Sequence, residues 1–132
     1  MLDEHDSSAI VAVADLASAR RFYGETLGLE LVEEEFEGVL VYRTGATRLV
    51  VYRSDYACPE RSRRGGTNRA NGVVWGVGDE LGAIVAALEA RGAAFLHYPG
   101  IGRLEGNIHV AGDARLVWLE DPAGNILHLN NM

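Results

Sequence analysis

Few side chains in this sequence can do chemistry, and the best suited are histidines. His128 stands inside the apolar stretch NILHL, and His109 follows the Gly-rich run YPGIGRLEGN, from which it would hang over a cavity mouth. An imidazole so placed can be a polar contact for a ligand, a satisfied core group, or a general acid or base. The last role needs a carboxylate or hydroxyl partner within hydrogen-bond reach, and Glu120, closing the stretch ARLVWLE, is the carboxylate on offer. His128, His109 and Glu120 are therefore the catalytic candidates. Other chemistries fall by inventory. All twelve basic residues are Arg, so Schiff-base lysines and a phosphate loop of the GxxxxGK[ST] type are excluded. Cys58 neighbours an Arg-rich run that would lower a thiol pKa, but no base is positioned to use it. Being the one cysteine, it cannot close an internal disulfide.

These candidates have to be positioned, and the positioning elements come twice. Val11 and Val13 lead to Asp15, with Gly28 standing 13 residues after it; Trp75 and Val77 lead to Asp79, with Gly92 again 13 residues on, an offset of 64. Each copy reads as strand, helix, strand. Asp15 and Asp79 suit helix N-caps, and Gly28 and Gly92 suit the left-handed position that ends a helix. Leu16, Ala19, Phe22, Tyr23 and Leu27 recur at helical spacing, as do Leu81, Ile84, Val85 and Leu88. LELVEEEF, then VLVYR and RLVVYR around a two-residue turn at Gly45 and Ala46, complete a first βαβββ unit. AAFLHY, ARLVWLE and NILHLNN complete the second, whose hairpin closes on Pro122, Ala123 and Gly124. Aligning the last strands needs an offset of 77, so the second copy holds 13 extra residues between about Tyr98 and Asp113.

The whole predicts an α+β chain of one domain, residues 1–132. Module one covers about 7–54, an Arg/Gly-rich linker 55–70 and module two about 71–131. The linker reads as a solvated connector, with contact to an anion as the alternative. A formal net charge of −7 argues against nucleic acid as partner and favours a neutral or cationic small molecule. No apolar run approaches a membrane span, and the acidic start MLDEHDSS is unlike a secretory signal, so the expected location is cytoplasmic.

The string VAVADLASARRFYGETLGLELV, with its strand, Asp-Leu helix start, aromatic pair and Leu-Gly, resembles the opening of the vicinal-oxygen-chelate superfamily of glyoxalases, bleomycin-resistance proteins and extradiol dioxygenases. WLEDPAGNILHL resembles its closing hairpin, and the resemblance covers roughly residues 7 to 131. It implies two βαβββ modules whose curved mixed sheets form a cup around a small-molecule cavity, and a homodimer. Metal-dependent members hold the ion with four side chains, typically His and Glu, from the first and last strands of each module. The corresponding positions here are Ser8, Val51, Gly72 and His128. One imidazole does not supply the three or so ligands a divalent metal needs, so no metal and no other cofactor is expected.

Hairpin pairing sets Trp118 beside His128, and the same parity sets Leu40 and Tyr42 on the face of Val51. The expected ligand contacts are Trp118, His128, Tyr42 and His109, among Ile10, Ala12, Leu116 and Ile126. Trp75 has the opposite parity and should pack beneath the second helix. The expectation is a metal-independent small-molecule binder for an aromatic or cationic ligand. The alternatives are a metal-independent lyase, isomerase or hydrolase using His128 or His109, and a non-catalytic dimeric scaffold.

Overall fold

A computed structural model describes residues 1–57 and 71–132; Cys58 and the Arg-rich run to Arg69 lie outside the described residues. The chain is α+β, and its element order repeats. Module one runs β1 (Ala9–Val13), α1 (Leu16–Arg20), β2 (Glu30–Glu33), β3 (Val39–Thr44) and β4 (Thr47–Arg53), in sheet order β1-β4-β3-β2. Module two runs β5 (Asn71–Gly76), α2 (Leu81–Ala90), β6 (Ala94–Leu96), β7 (Arg103–Glu105), β8 (Ile108–Ala111), β9 (Ala114–Glu120) and β10 (Ile126–Asn130). Its order is β5-β10-β9-β8-β7, with β6 also on β9. In each module the first strand joins the last in parallel and the rest are antiparallel. The 13 extra residues are therefore no loose excursion. They build the hairpin β7–β8, which shares the outer edge of β9 with β6.

The helices start for different reasons in the two copies. Asp15 caps α1, its carboxylate accepting from the Ala17 amide at 3.0 Å and the Ser18 hydroxyl at 2.7 Å. After Arg20 the coil widens to a π-helical segment, Arg21–Thr26, in which consecutive Phe22 and Tyr23 are both buried. Asp79 does not cap α2. It lies exposed in a 3-10 turn, Gly78–Glu80, and α2 begins after Glu80 with no side-chain cap. The extra turn takes up the slack between β5 and the helix. Gly28 (φ 69°) and Gly92 (φ 75°) adopt the left-handed conformation that ends both helices, which a Cβ would oppose.

One core joins the modules. Val11, Val13, Leu40, Tyr42, Leu49 and Val51 pack with Ala19, Phe22 and Tyr23; Val117, Leu119, Leu127 and Leu129 pack with Leu81, Val85 and Leu88. Burying each such aliphatic chain contributes ~1.5–3 kcal/mol. Trp75 packs against the same core. A buried polar clasp crosses the seam: the Tyr23 hydroxyl donates to Asp121 at 2.7 Å, and Asp121 also accepts from the Ala123 and Asn125 amides. The Asn125 side-chain amide donates to Asp121 at 2.8 Å and to the Ala12 carbonyl at 2.7 Å. Burial, then the adjacent Asp121 charge, pushes the Tyr23 hydroxyl far above its ordinary range, so it stays a neutral donor. Arg91 adds a second tie, donating to the Thr26 carbonyl at 2.9 Å.

Candidate functional site

The site grows from the register of the last hairpin. The Asp121 amide donates to the Asn125 carbonyl at 3.0 Å, and strict pairing back along the strands sets Trp118 opposite His128. Both strands alternate, so Leu119, Leu127 and Leu129 take the helix side, and Trp118 and His128 take the face turned away from the helices. There the indole stacks on the imidazole, centroids 4.7 Å apart at 27°. The indole N–H donates to the Asn71 side chain at 3.1 Å. His128 Nδ1 lies 3.0 Å from the Val117 carbonyl, so Nδ1 carries the proton and Nε2 keeps a lone pair, 3.4 Å from the Asn130 amide nitrogen. Burial holds the His128 pKa below its usual value, against the opposing pull of the Val117 carbonyl. It is a neutral imidazole with an acceptor at Nε2.

His109 belongs to this cluster, but not as a loop residue. It sits within β8, fully buried, its ring edge-on to Trp118 at 5.0 Å and 88°. Its Nε2 accepts from the Tyr98 amide at 2.9 Å, while Nδ1 is buried without a partner. Tyr98 meets Trp118 edge-on at 5.1 Å and 82°, so the segment after β6 covers the aromatic stack. The cluster borders exposed apolar surface: Val74, opposite His128 on β5, is 58% exposed, and its repeat counterpart Ile10 on β1 is 62% exposed. A cleft of about 320 Å³ opens beside Val74, between Ala9, Thr44, Thr47 and Gly72 at the seam of β1 and β5.

Two expectations fail, one in each module. Val51 registers with Val11 on one side and Leu40 on the other, all three buried in the helix-side core. Tyr42 goes with them, its ring 5.9 Å from that of Tyr23. Tyr42 and Leu40 therefore do not join His128, because alignment of the last strands at an offset of 77 is one residue short. His128 pairs with Val74, whose counterpart Ile10 pairs with Val50, and a one-residue slip turns a whole strand over. Glu120, half-buried at the far end of β9, faces Ile126 and Ala94 and makes no hydrogen bond to His128, whose ring nitrogens are engaged elsewhere.

The four family metal positions do not fit an ion. Ser8 is exposed ahead of β1, Val51 is apolar and turned to the helix, Gly72 offers no donor, and only His128 is of ligand type. Val50 and Tyr52, the neighbours on β4 of the right parity, add neither imidazole nor carboxylate. Among the described residues no three His, Cys, Asp or Glu side chains gather as a metal site. Sequence reasoning missed Tyr98, Asn71 and Asn130. Asn130 has the parity of His128 and was within reach of the same alternation; Asn71 and Tyr98 come from a parallel neighbour and a crossing segment, which hairpin parity does not address.

The sequence profile of the Glyoxalase/Bleomycin resistance protein/Dioxygenase superfamily matches residues 7–129. No curated protein matches the chain. Among solved structures it resembles a glyoxalase/bleomycin resistance protein/dioxygenase from Alicyclobacillus acidocaldarius, at 21% identity and TM-score 0.71, over 96% of this chain and 89% of that one. It also resembles the fosfomycin resistance protein FosX from Listeria monocytogenes, at 13% identity and TM-score 0.68, over 97% and 90%. Lactoylglutathione lyase from Agrobacterium tumefaciens gives 19% identity and TM-score 0.65, over 96% and 92%. At these identities the likeness shows the fold alone. With the repeated βαβββ order and the profile match over nearly its full length, the chain belongs to the glyoxalase/bleomycin resistance protein/dioxygenase superfamily.

Proposed function

We propose that this chain is a metal-independent binding protein for a small aromatic ligand, held on the helix-free face of its sheets. The observation that carries the reading is the Trp118–His128 stack beside exposed Val74. An indole fixed at its N–H, a neutral imidazole with a lone pair, and aliphatic side chains make the mixture typical of small-molecule sites. The net charge of −7 favours a cationic ligand over an anionic one. The donor set at the four family positions supports metal independence. The acid–base alternative lacks support, since among the described residues no carboxylate or hydroxyl stands on the ring nitrogens of His128 or His109. A homodimer and a cytoplasmic location complete the reading; exposed Ile10 and Val74 are apolar surface that a second copy would cover.

The test is a thermal-shift screen of aromatic and cationic metabolites against chelator-treated protein, with elemental analysis of untagged protein alongside. Aromatic cations should raise the midpoint with no stoichiometric metal present. One metal per chain, lost to chelator together with all ligand response, would overturn the proposal.

A further inference from the structure

We propose that residues 97–102 form a strap latched over the Trp118–His128 stack by the lone pair of His109, and that protonating His109 releases it. The inference rests on the reading of that stack as the ligand site only for its purpose; the latch belongs to the free chain. The strap connects β6 to β7. Its near end carries Tyr98, whose ring abuts Trp118 and whose amide donates to His109 Nε2. At the far end, Gly102 lies so close to β8 that a Cβ there would stand 2.1 Å from the Val110 carbonyl oxygen. Under this cover Trp118 is 8% exposed and His109 not at all.

The latch works in one protonation state. Nε2 can accept from the Tyr98 amide only while it carries no proton, which leaves the proton on Nδ1, buried without a partner. A second proton turns Nε2 into a donor facing a donor. It also creates a buried cation, and the described residues around it offer no counter-ion. On the strap stand Tyr98 and His97, the latter's ring 6.1 Å away and bonded to Asn107, which in turn holds Glu89. On β7, Leu104 opposes His109, and its neighbours Arg103 and Glu105 are paired with each other. On β9 stand Leu116 and Trp118, and His128 lies beyond the indole. Uncompensated charge in such a place is costly, and the relief is to lift the strap and admit water. Acid should therefore open the stack and neutral pH close it.

Amide exchange of Tyr98 in ligand-free protein tests this, with rates normalised to the intrinsic rate at each pH. The protection of Tyr98 should fall by about tenfold or more between roughly pH 7.5 and 5.5, for a lost hydrogen bond plus the uncompensated charge. His109→Gln keeps an acceptor near the Nε2 position but cannot titrate, so its Tyr98 protection should be flat across that range. Should the Gln variant fail to fold, ring-nitrogen NMR of the wild type replaces it: the His109 titration and the loss of Tyr98 protection must share one midpoint. Equal protection at both pH values, an undiminished pH dependence in the Gln variant, or separate midpoints would overturn the latch. Because no ligand is present, failure here leaves the binding proposal standing, and failure of the ligand screen leaves the latch standing.

Discussion

A neutral imidazole stacked on an indole is a poor place for a proton, and this makes His128 visible to titration. Its folded-state pKa is lowered by burial, so the unfolded chain binds the proton more readily, and stability rises with pH wherever the two states differ. Whatever His128 contributes is present above the unfolded value of about 6.5 and is lost as pH falls through the lower folded value. Urea unfolding of His128→Gln should therefore show a shallower loss of stability below about pH 6.5 than the wild type. Identical slopes would mean that burial does not govern this group. At this scale Trp118 and His128 were legible in sequence because a short closed loop at Asp121 to Asn125 fixes their pairing. His109 was expected over a cavity mouth and was not legible as a strand residue, since the Gly-rich run before it hides the hairpin β7–β8. Its buried state and its bond to Tyr98 depend on a crossing that no local pattern encodes.

At the scale of elements the two copies look alike in sequence and differ in how their helices begin. Asp15 makes its capping bonds, whereas Asp79 sits exposed in a 3-10 turn. Asp15→Ala should cost ~1 kcal/mol of unfolding free energy, the usual worth of a cap, and Asp79→Ala only a few tenths. Equal losses in urea denaturation would show that the second carboxylate caps after all. The repeat at 64 predicted strand, helix, strand in both modules, and the structure has them. Parity was correct where a hairpin of known loop length set it, as for Trp118 and His128. It was wrong for Val51, Leu40 and Tyr42, because the face of β4 was carried over by counting from β10, while its true setting comes from parallel pairing of Val11 with Val51. Parallel register depends on residues brought together across a helix, so one miscounted residue moves Tyr42 from floor to core.

For the whole molecule, the profile match over residues 7–129 and the clasp of Tyr23, Asp121 and Asn125 account for two modules sharing one core. The exposed Ile10 and Val74 side chains sit on adjacent first strands, where a second copy would bury them. Light scattering at micromolar concentration should return about twice the chain mass of 14.3 kDa; a persistent monomer would leave that apolar floor to the ligand alone. The central claim is that this face binds without a metal, with Trp118 in contact with the ligand. Calorimetric titration of chelator-treated protein with the strongest aromatic hit, in wild type and Trp118→Phe, addresses it directly. The account predicts one ligand per chain with undiminished affinity after chelation, and in the variant a severalfold to roughly tenfold weakening, as befits a lost aromatic contact worth ~0.5–1.5 kcal/mol, measured under conditions where the variant, which also loses the indole bond to Asn71, is still fully folded. Binding that vanishes on chelation and returns with a divalent ion, or a variant that loses stability while keeping its affinity, would contradict it.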